Sequence, residues 1–294
     1  MDSIRRLWHA PTALHRLSSL LFWLSAAALL AGTVHWLASR PAFALRTVEV
    51  QAVGAPLRHI QEADLRLALA GGLQGTTLTA PLGVVQGQLA SHPWVRQVSI
   101  RRIWPNRLLV RLEEHQPMAS WEDGRFFNRQ GELFLGEESA AHEDARQVYG
   151  CRIPSLSGPV GSASRVLERA LAVDSMTASV KGPGPGLSLW SVTLTPHFSW
   201  QMTLSNGIAV ELGRDSLGTD WRTRLGLFLE SHHWLIGGLG RDSVGLPIGI
   251  DLRYANGYAY QTRPTDRVTA QAMPGEQPAA SCLRHFQQGL RHDT

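Results

Sequence analysis

Hydrophobic and polar positions change their rhythm several times along the chain, and each change marks an element. Residues 17–37 read LSSLLFWLSAAALLAGTVHWL, a 21-residue run without a formal charge. A helix of about 20 such residues crosses the roughly 30 Å hydrocarbon core of a bilayer. Trp36 and His35 fall where an interfacial belt is expected. Ala42-Phe43-Ala44 imitates a signal-cleavage site, but signal cores are typically about 7–15 residues, so a retained anchor is expected. Residues 46–53 then alternate Val48, Val50 and Ala52 in strand period. Ile60, Ala63, Leu67 and Ala70 follow at helical spacing, and Gly71-Gly72 is a stop signal. A second helix is expected over 82–90, after Pro81 and before Ser91-His92-Pro93. Residues 94–103 and 107–113 both alternate, and Trp104-Pro105-Asn106 turns the chain between them. On this pattern Trp104 packs the hairpin and Pro105 sets its bend. The order strand, helix, helix, strand, strand makes a workable α+β layer.

Beyond residue 115 the same method predicts a larger unit. A turn falls within 121–134, and Val166, Leu167, Ala170, Leu171 and Val173 place a helix over 162–179. Strands are expected at 187–194, 199–204 and 208–212, with Asn206-Gly207 as a hairpin signal. A helix over 219–235 and a closing hairpin, 248–254 with 258–260, complete an antiparallel sheet flanked by helices. From residue 263 the chain turns to Pro, Gln, Ala and Gly with little periodicity, and a disordered tail is expected. The fold class is α+β, divided as a head (1–16), a transmembrane helix (17–38), two domains (43–115 and 116–262) and a tail (263–294).

Charge refines topology more than partnership. The formal net charge is +4 and the pI about 9.6, which invites a nucleic-acid reading. Yet the surplus is scattered: three Arg against one acid over 1–17, eight Arg against five acids over 43–115, and 16 basic against 18 acidic residues over 116–294. No basic patch results, and no nucleic-acid partner is expected. Arg5, Arg6 and Arg16 precede the apolar run, while Arg40 and Arg46 follow it. That bias, with most of the chain lying beyond the span, predicts a cytoplasmic N-terminus and, for a bacterial chain, a periplasmic C-terminus. Cys151 and Cys282 are able to pair in an oxidising compartment, but Cys282 falls in the aperiodic tail, and the expectation is that they do not.

Catalytic signatures are missing from the sequence. There is no P-loop, G-x-S-x-G or S-x-x-K. His232-His233 are adjacent and so cannot share a helix face as metal ligands do. Gly237-Gly238-Leu239-Gly240 lacks the strand-before, helix-after setting of a dinucleotide loop. No enzyme, cofactor, metal or small-molecule substrate is expected. Surfaces remain. A closing strand leaves one edge unpaired, and such an edge is a template for an added strand unless it is short and merely tolerated. If it is used, main-chain bonds supply affinity, and side chains such as Arg253 and Tyr254 supply selectivity.

Several motifs carry a resemblance. Pro93–Val95 (P-W-V), Arg101-Arg102-Ile103-Trp104-Pro105 and the E-x-x-P-x-A-x-W run of 114–121 resemble the polypeptide-transport-associated (POTRA) domain of the FtsQ/DivIB family. Asn128-Arg129-Gln130-Gly131, the L-G-R at 212–214, and Asp251-Leu252-Arg253-Tyr254 with Gly257 are similar to later segments of the same family. The resemblance implies a single-pass bacterial division protein of the inner membrane at the septum, with a POTRA domain serving recruitment by upstream division proteins. It also implies that the closing region holds FtsB- and FtsL-type partners. On that implication Arg253 offers a guanidinium fork to a partner carboxylate, Tyr254 is an amphipathic anchor, and Asn256, Tyr258 and Tyr260 share the surface. Asn256 stands where some members have a small serine. The competing expectation is a secreted or outer-membrane assembly factor with a POTRA module. That reading requires a cleaved signal, and usually a downstream barrel whose alternating strand series is not found.

Overall fold

The computed structural model describes residues 11–38, 44–72, 76–77, 79–180, 187–215, 218, 220–239, 247–254, 257–262 and 280–284. Two compact units, residues 1–114 and 115–294, are described separately.

In the first unit, helix α1 (Pro11–Ala38) opens on a proline, tolerated in a first turn where its missing N–H is not needed. Its apolar window, His15–Trp36, is 22 residues long and reaches a mean hydropathy of 1.8 over an 18-residue stretch, none of which is buried against the rest of the chain. At 1.5 Å per residue such a window is about 33 Å long, enough to cross a membrane. The elements β1 (Thr47–Ala52), α2 (Glu62–Gly72), α3 (Leu82–Ala90), β2 (Val95–Ile103) and β3 (Arg107–Glu114) follow. The sheet order is β1-β3-β2, with β1 parallel to β3 and β2 antiparallel to it. Leu108, Val110 and Leu112 are buried on one face of β3, as their alternation requires, and Val85 and Leu89 are buried on α3. At the end of β3 the buried Glu114 accepts the backbone N–H groups of Arg58 (2.8 Å) and His59 (2.7 Å), tying down the loop before α2. Arg102 donates to the carbonyls of Thr77 (2.6 Å) and Ala80 (2.9 Å). At the β2–β3 tip Trp104 is 57% exposed and stands outside the buried core.

The second unit holds β4 (Pro117–Trp121), β5 (Arg125–Asn128), β6 (Leu133–Leu135), α4 (Glu138–Gln147), β7 (Cys151–Arg152), β8 (Ser155–Ser157) and α5 (Ala163–Ser179). It continues with β9 (Leu189–Leu194), β10 (Trp200–Leu204), β11 (Ala209–Gly213), α6 (Trp221–Leu239), β12 (Pro247–Asp251), β13 (Ala259–Thr262) and β14 (Ala280–Ser281). Nine strands form one sheet in the order β13-β12-β11-β10-β9-β8-β4-β5-β6. The α+β class stands, but the sheet is mixed where an antiparallel one was expected: β4–β8, β8–β9 and β11–β12 are parallel. The cause is connectivity. Helix α5 joins β8 to β9 and α6 joins β11 to β12, and a crossover helix brings the chain back in the same direction. Val192, Met202, Val210 and Ile250 alternate into the core beside Val166, Ala170 and Val173 of α5 and Leu225 and Phe228 of α6. Arg169 of α5 lies between Trp200 and Trp221, 4.2 Å from each ring centroid, and its guanidinium meets Asp215 at 2.6 Å. One cation thus links α5, β10 and the start of α6.

The tail also departs from expectation. Cys151 and Cys282 form a disulfide closing a separation of 131 residues. Ala280 and Ser281 pair in parallel with Cys151 and Arg152, and Cys282 and Leu283 are wholly buried. Arg284 donates to the Leu187 carbonyl at 2.9 Å and stands 3.7 Å from the buried Asp174 carboxylate. This short segment docks on burial and one charge pair, neither of which needs sequence periodicity. The remainder of the expected disordered tail, 263–279 and 285–294, lies outside the described residues.

Candidate partner-binding edge

The closing hairpin owes its position to α6. That crossover lays β12 parallel beside β11, and β13 folds back antiparallel to β12, from Asp251↔Ala259 to Pro247↔Thr262. Among the described residues β13 pairs with β12 alone, so it is an edge of the nine-stranded sheet. Ala259, Tyr260 and Gln261 are exposed. Unpaired main-chain groups along such an edge are able to accept a further strand.

Between the two strands the chain is held by side chains. Leu252 is buried, and its N–H donates to the Glu211 carbonyl at 2.8 Å. The Asp251 carboxylate accepts the Arg253 backbone N–H at 3.0 Å, an Asx-type turn. It also accepts the Arg253 guanidinium, Nε at 2.9 and 3.1 Å and Nη2 at 2.6 Å. Hydrogen bonding from Arg253 holds the Asp251 carboxyl below its ordinary range, and the same bonds raise Arg253. The fork expected to meet a partner carboxylate is therefore already oriented by an internal one, which a partner must share or displace.

Tyr254 follows and is 57% exposed, an aromatic surface offered to solvent. Tyr258 behaves differently from a free contact residue. Its hydroxyl lies 2.7 Å from Ser231 Oγ on α6, and its ring meets Phe228 edge-on at 5.7 Å, so it fastens the hairpin to the helix. Tyr260 is opposite Ile250 and 48% exposed at the rim. Asn256 lies outside the described residues. Arg253 and Tyr254 thus share one exposed turn beside the edge, Tyr260 lies on the edge, and Tyr258 supports it from behind.

The face of the sheet away from the helices is a shallow hollow of about 530 Å³, bordered by Thr193, Gln201, Thr203, Glu211, Asp251 and Gln261. It is open because Ala209 and Gly249 bring little or no side chain to its floor. Glu211 is held there by Ser199 (3.0 Å) and Gln201 (3.2 Å). Small-molecule sites are usually apolar clefts with a few convergent polar groups, whereas this hollow is open and lined by polar and apolar groups in similar measure. Among the described residues no group of three or more His, Cys, Asp or Glu side chains is placed to hold a metal ion.

These features define a class: a POTRA-type protein with one N-terminal helix long enough to span a membrane and a mixed-sheet unit ending on an edge hairpin. Residues 43–115 match the family model described as POTRA domain, FtsQ-type, and residues 119–253 match that of Cell division protein FtsQ/DivIB, C-terminal. The chain is 31% identical over 253 residues to the cell division protein FtsQ of Burkholderia pseudomallei, covering 86% of this chain and 93% of the relative. It is 31% identical over 210 residues to that of Bordetella pertussis (71% and 73%) and 32% identical over 208 residues to that of Escherichia coli (70% and 69%). The chain belongs to the FtsQ/DivIB family of cell division proteins, as the motifs of its sequence imply.

Proposed function

We propose that the protein is a non-enzymatic, bitopic scaffold of the bacterial division machinery. Its N-terminus lies in the cytoplasm and its folded units in the periplasm, at the septum. Its POTRA unit receives upstream division proteins, and its closing hairpin holds FtsB- and FtsL-type partners. The observation that carries this reading is the β13 edge with Arg253 and Tyr254 exposed on the turn beside it.

A partner strand added along β13 gains main-chain hydrogen bonds that are indifferent to sequence. Tyr254 then supplies apolar area at low entropic cost, with a hydroxyl at its rim. Arg253 meets a partner carboxylate from a guanidinium that Asp251 already orients. Tyr260 flanks the added strand, the family resemblance assigns Asn256 to the same contact surface, and Tyr258 keeps the hairpin on α6 so that the edge is presented in one register.

The test is co-purification of an FtsB-type partner with the membrane-inserted full chain. Central aromatic anchors cost about 2 kcal/mol or more when truncated. Tyr254→Ala is therefore expected to lower recovery at least about tenfold while leaving thermal melting and membrane extraction unchanged. Wild-type recovery with Tyr254→Ala and with Arg253→Glu would remove the reading.

A further inference from the structure

The start of β1 and the β2–β3 tip occupy one end of the POTRA sheet. Because β1 runs parallel to β3, Thr47 lies opposite Arg107, and the Arg46 N–H donates to the Asn106 carbonyl at 3.0 Å. That end is also where the chain arrives from α1. Only the eight residues 39–46 separate Ala38 from Thr47, and eight residues span at most about 28 Å when fully extended. With α1 across a bilayer, the β2–β3 tip is tethered close to the headgroup layer.

The chemistry of that end matches its position. Trp104 is 57% exposed at the tip, and Pro105, Arg46, Arg101 and Arg107 are exposed around it. From residue 94 to residue 112 the chain carries five Arg and no acid. In strand register the nearest acid is Glu49, opposite Leu109 at the same level as Arg101, while Arg46 and Arg107 lie nearer the tip. More than half of the indole is exposed, and that apolar area is unfavourable in water. An exposed indole with arginines on the neighbouring strand ends is the composition of a membrane–water interface, where the ring sits among headgroups and the cations meet lipid phosphates.

We propose that the β2–β3 tip is a membrane-docking element: Trp104 seats in the headgroup region, and Arg46, Arg101 and Arg107 engage anionic phospholipid. The inference rests on α1 spanning the bilayer. Docking fixes the POTRA sheet end-on to the membrane. A second attachment beside the tether limits the unit's rotation, and β2, the strand that forms the tip, is held at a set height above the surface.

The test uses the full chain in vesicles of phosphatidylcholine containing phosphatidylglycerol, with bromine on the acyl chains near the glycerol. Subtracting the emission of Trp104→Phe from that of the wild type isolates the Trp104 signal. That signal is expected to be blue-shifted and quenched severalfold by the brominated lipid. Each arginine near an anionic surface shifts the balance about fivefold, so Arg101→Glu with Arg107→Glu, or vesicles of phosphatidylcholine alone, are expected to abolish most of the quenching. Quenching of Trp23 and Trp36 reports insertion of α1 independently. An unquenched, solvent-type Trp104 signal alongside quenched Trp23 and Trp36 overturns the docking. Loss of quenching at all three overturns the spanning reading, and the docking with it. If Trp104→Phe lowers the melting temperature, the charge-reversed variant against wild type supplies the same comparison with Trp104 in place.

Discussion

Three aspartates show how the same side chain takes opposite roles in one unit. Asp174 is wholly buried on α5. Burial raises its carboxyl above the ordinary value, against the opposing effect of Arg284. Its folded state therefore takes up a proton more readily than the unfolded chain, and at neutral pH the ionised form leans on a cation from the docked C-terminal segment. At Asp215 burial pushes the same way, but hydrogen bonds from Arg169 and Arg165 outweigh it and hold the carboxyl below its ordinary range. At Asp251 the Arg253 hydrogen bond dominates. For a carboxyl lowered in the folded state, the stabilisation is complete above the unfolded value near pH 4 and disappears as pH falls through the folded value. Asp215→Asn is thus expected to melt below wild type at pH 6, with the gap closing as the pH is taken toward 2. A gap independent of pH would show that the Arg165–Asp215–Arg169 cluster acts by packing alone. Asp215 is partly exposed, so solvent screening trims the effect.

At the scale of elements, the disulfide and β14 make the clearest prediction. Pinning Cys282 to Cys151 closes a loop that contains α5, β9–β13 and α6. Opening a native disulfide of this kind typically costs about 2–5 kcal/mol. Cys282→Ala is expected to lower the melting temperature by several degrees and to raise amide exchange around β7 and β14. An unchanged melt would mean that Leu283 and Arg284 dock the segment unaided. This element also marks where the sequence stops being legible. Helix α3 coincides with the range bounded by Pro81 and Ser91-His92-Pro93, and α5 differs by one residue because repeated apolar positions at helical spacing fix its buried face. Helix α4 buries only Ala141 and Ala145, too little apolar signal to register. The two-residue strands β7 and β14 have no period at all. The parallel sense of three pairings depends on where the crossover helices pass, which is a property of topology and not of any strand's own residues. At the edge, the exposed Arg253 and Tyr254 were legible through the closing motif. The Tyr258–Ser231 contact was not, since it requires α6 to lie behind the hairpin.

Considered whole, the chain spends its residues on surfaces and attachments. One apolar helix is long enough to cross a membrane, a small β-α-α-β-β unit follows within eight residues, and a larger sheet ends in an edge that its own chain leaves open among the described residues. Its charged clusters are internal braces: Asp215 between two arginines, Arg102 on two carbonyls, and Glu114 on two backbone N–H groups. The proposed scaffold role asks for a molecule that is positioned and then added to. Added strands leave a signature that side-chain contacts do not, because they take up the main-chain groups of the edge. The most direct measurement is hydrogen exchange along Ala259–Thr262 in the full chain, with and without an FtsB-type partner. Strand addition is expected to slow the outward-facing amides of β13 at least about tenfold, since each leaves solvent for a cross-strand hydrogen bond. Unchanged exchange along β13 in a complex that still forms, with protection elsewhere on the unit, would contradict it.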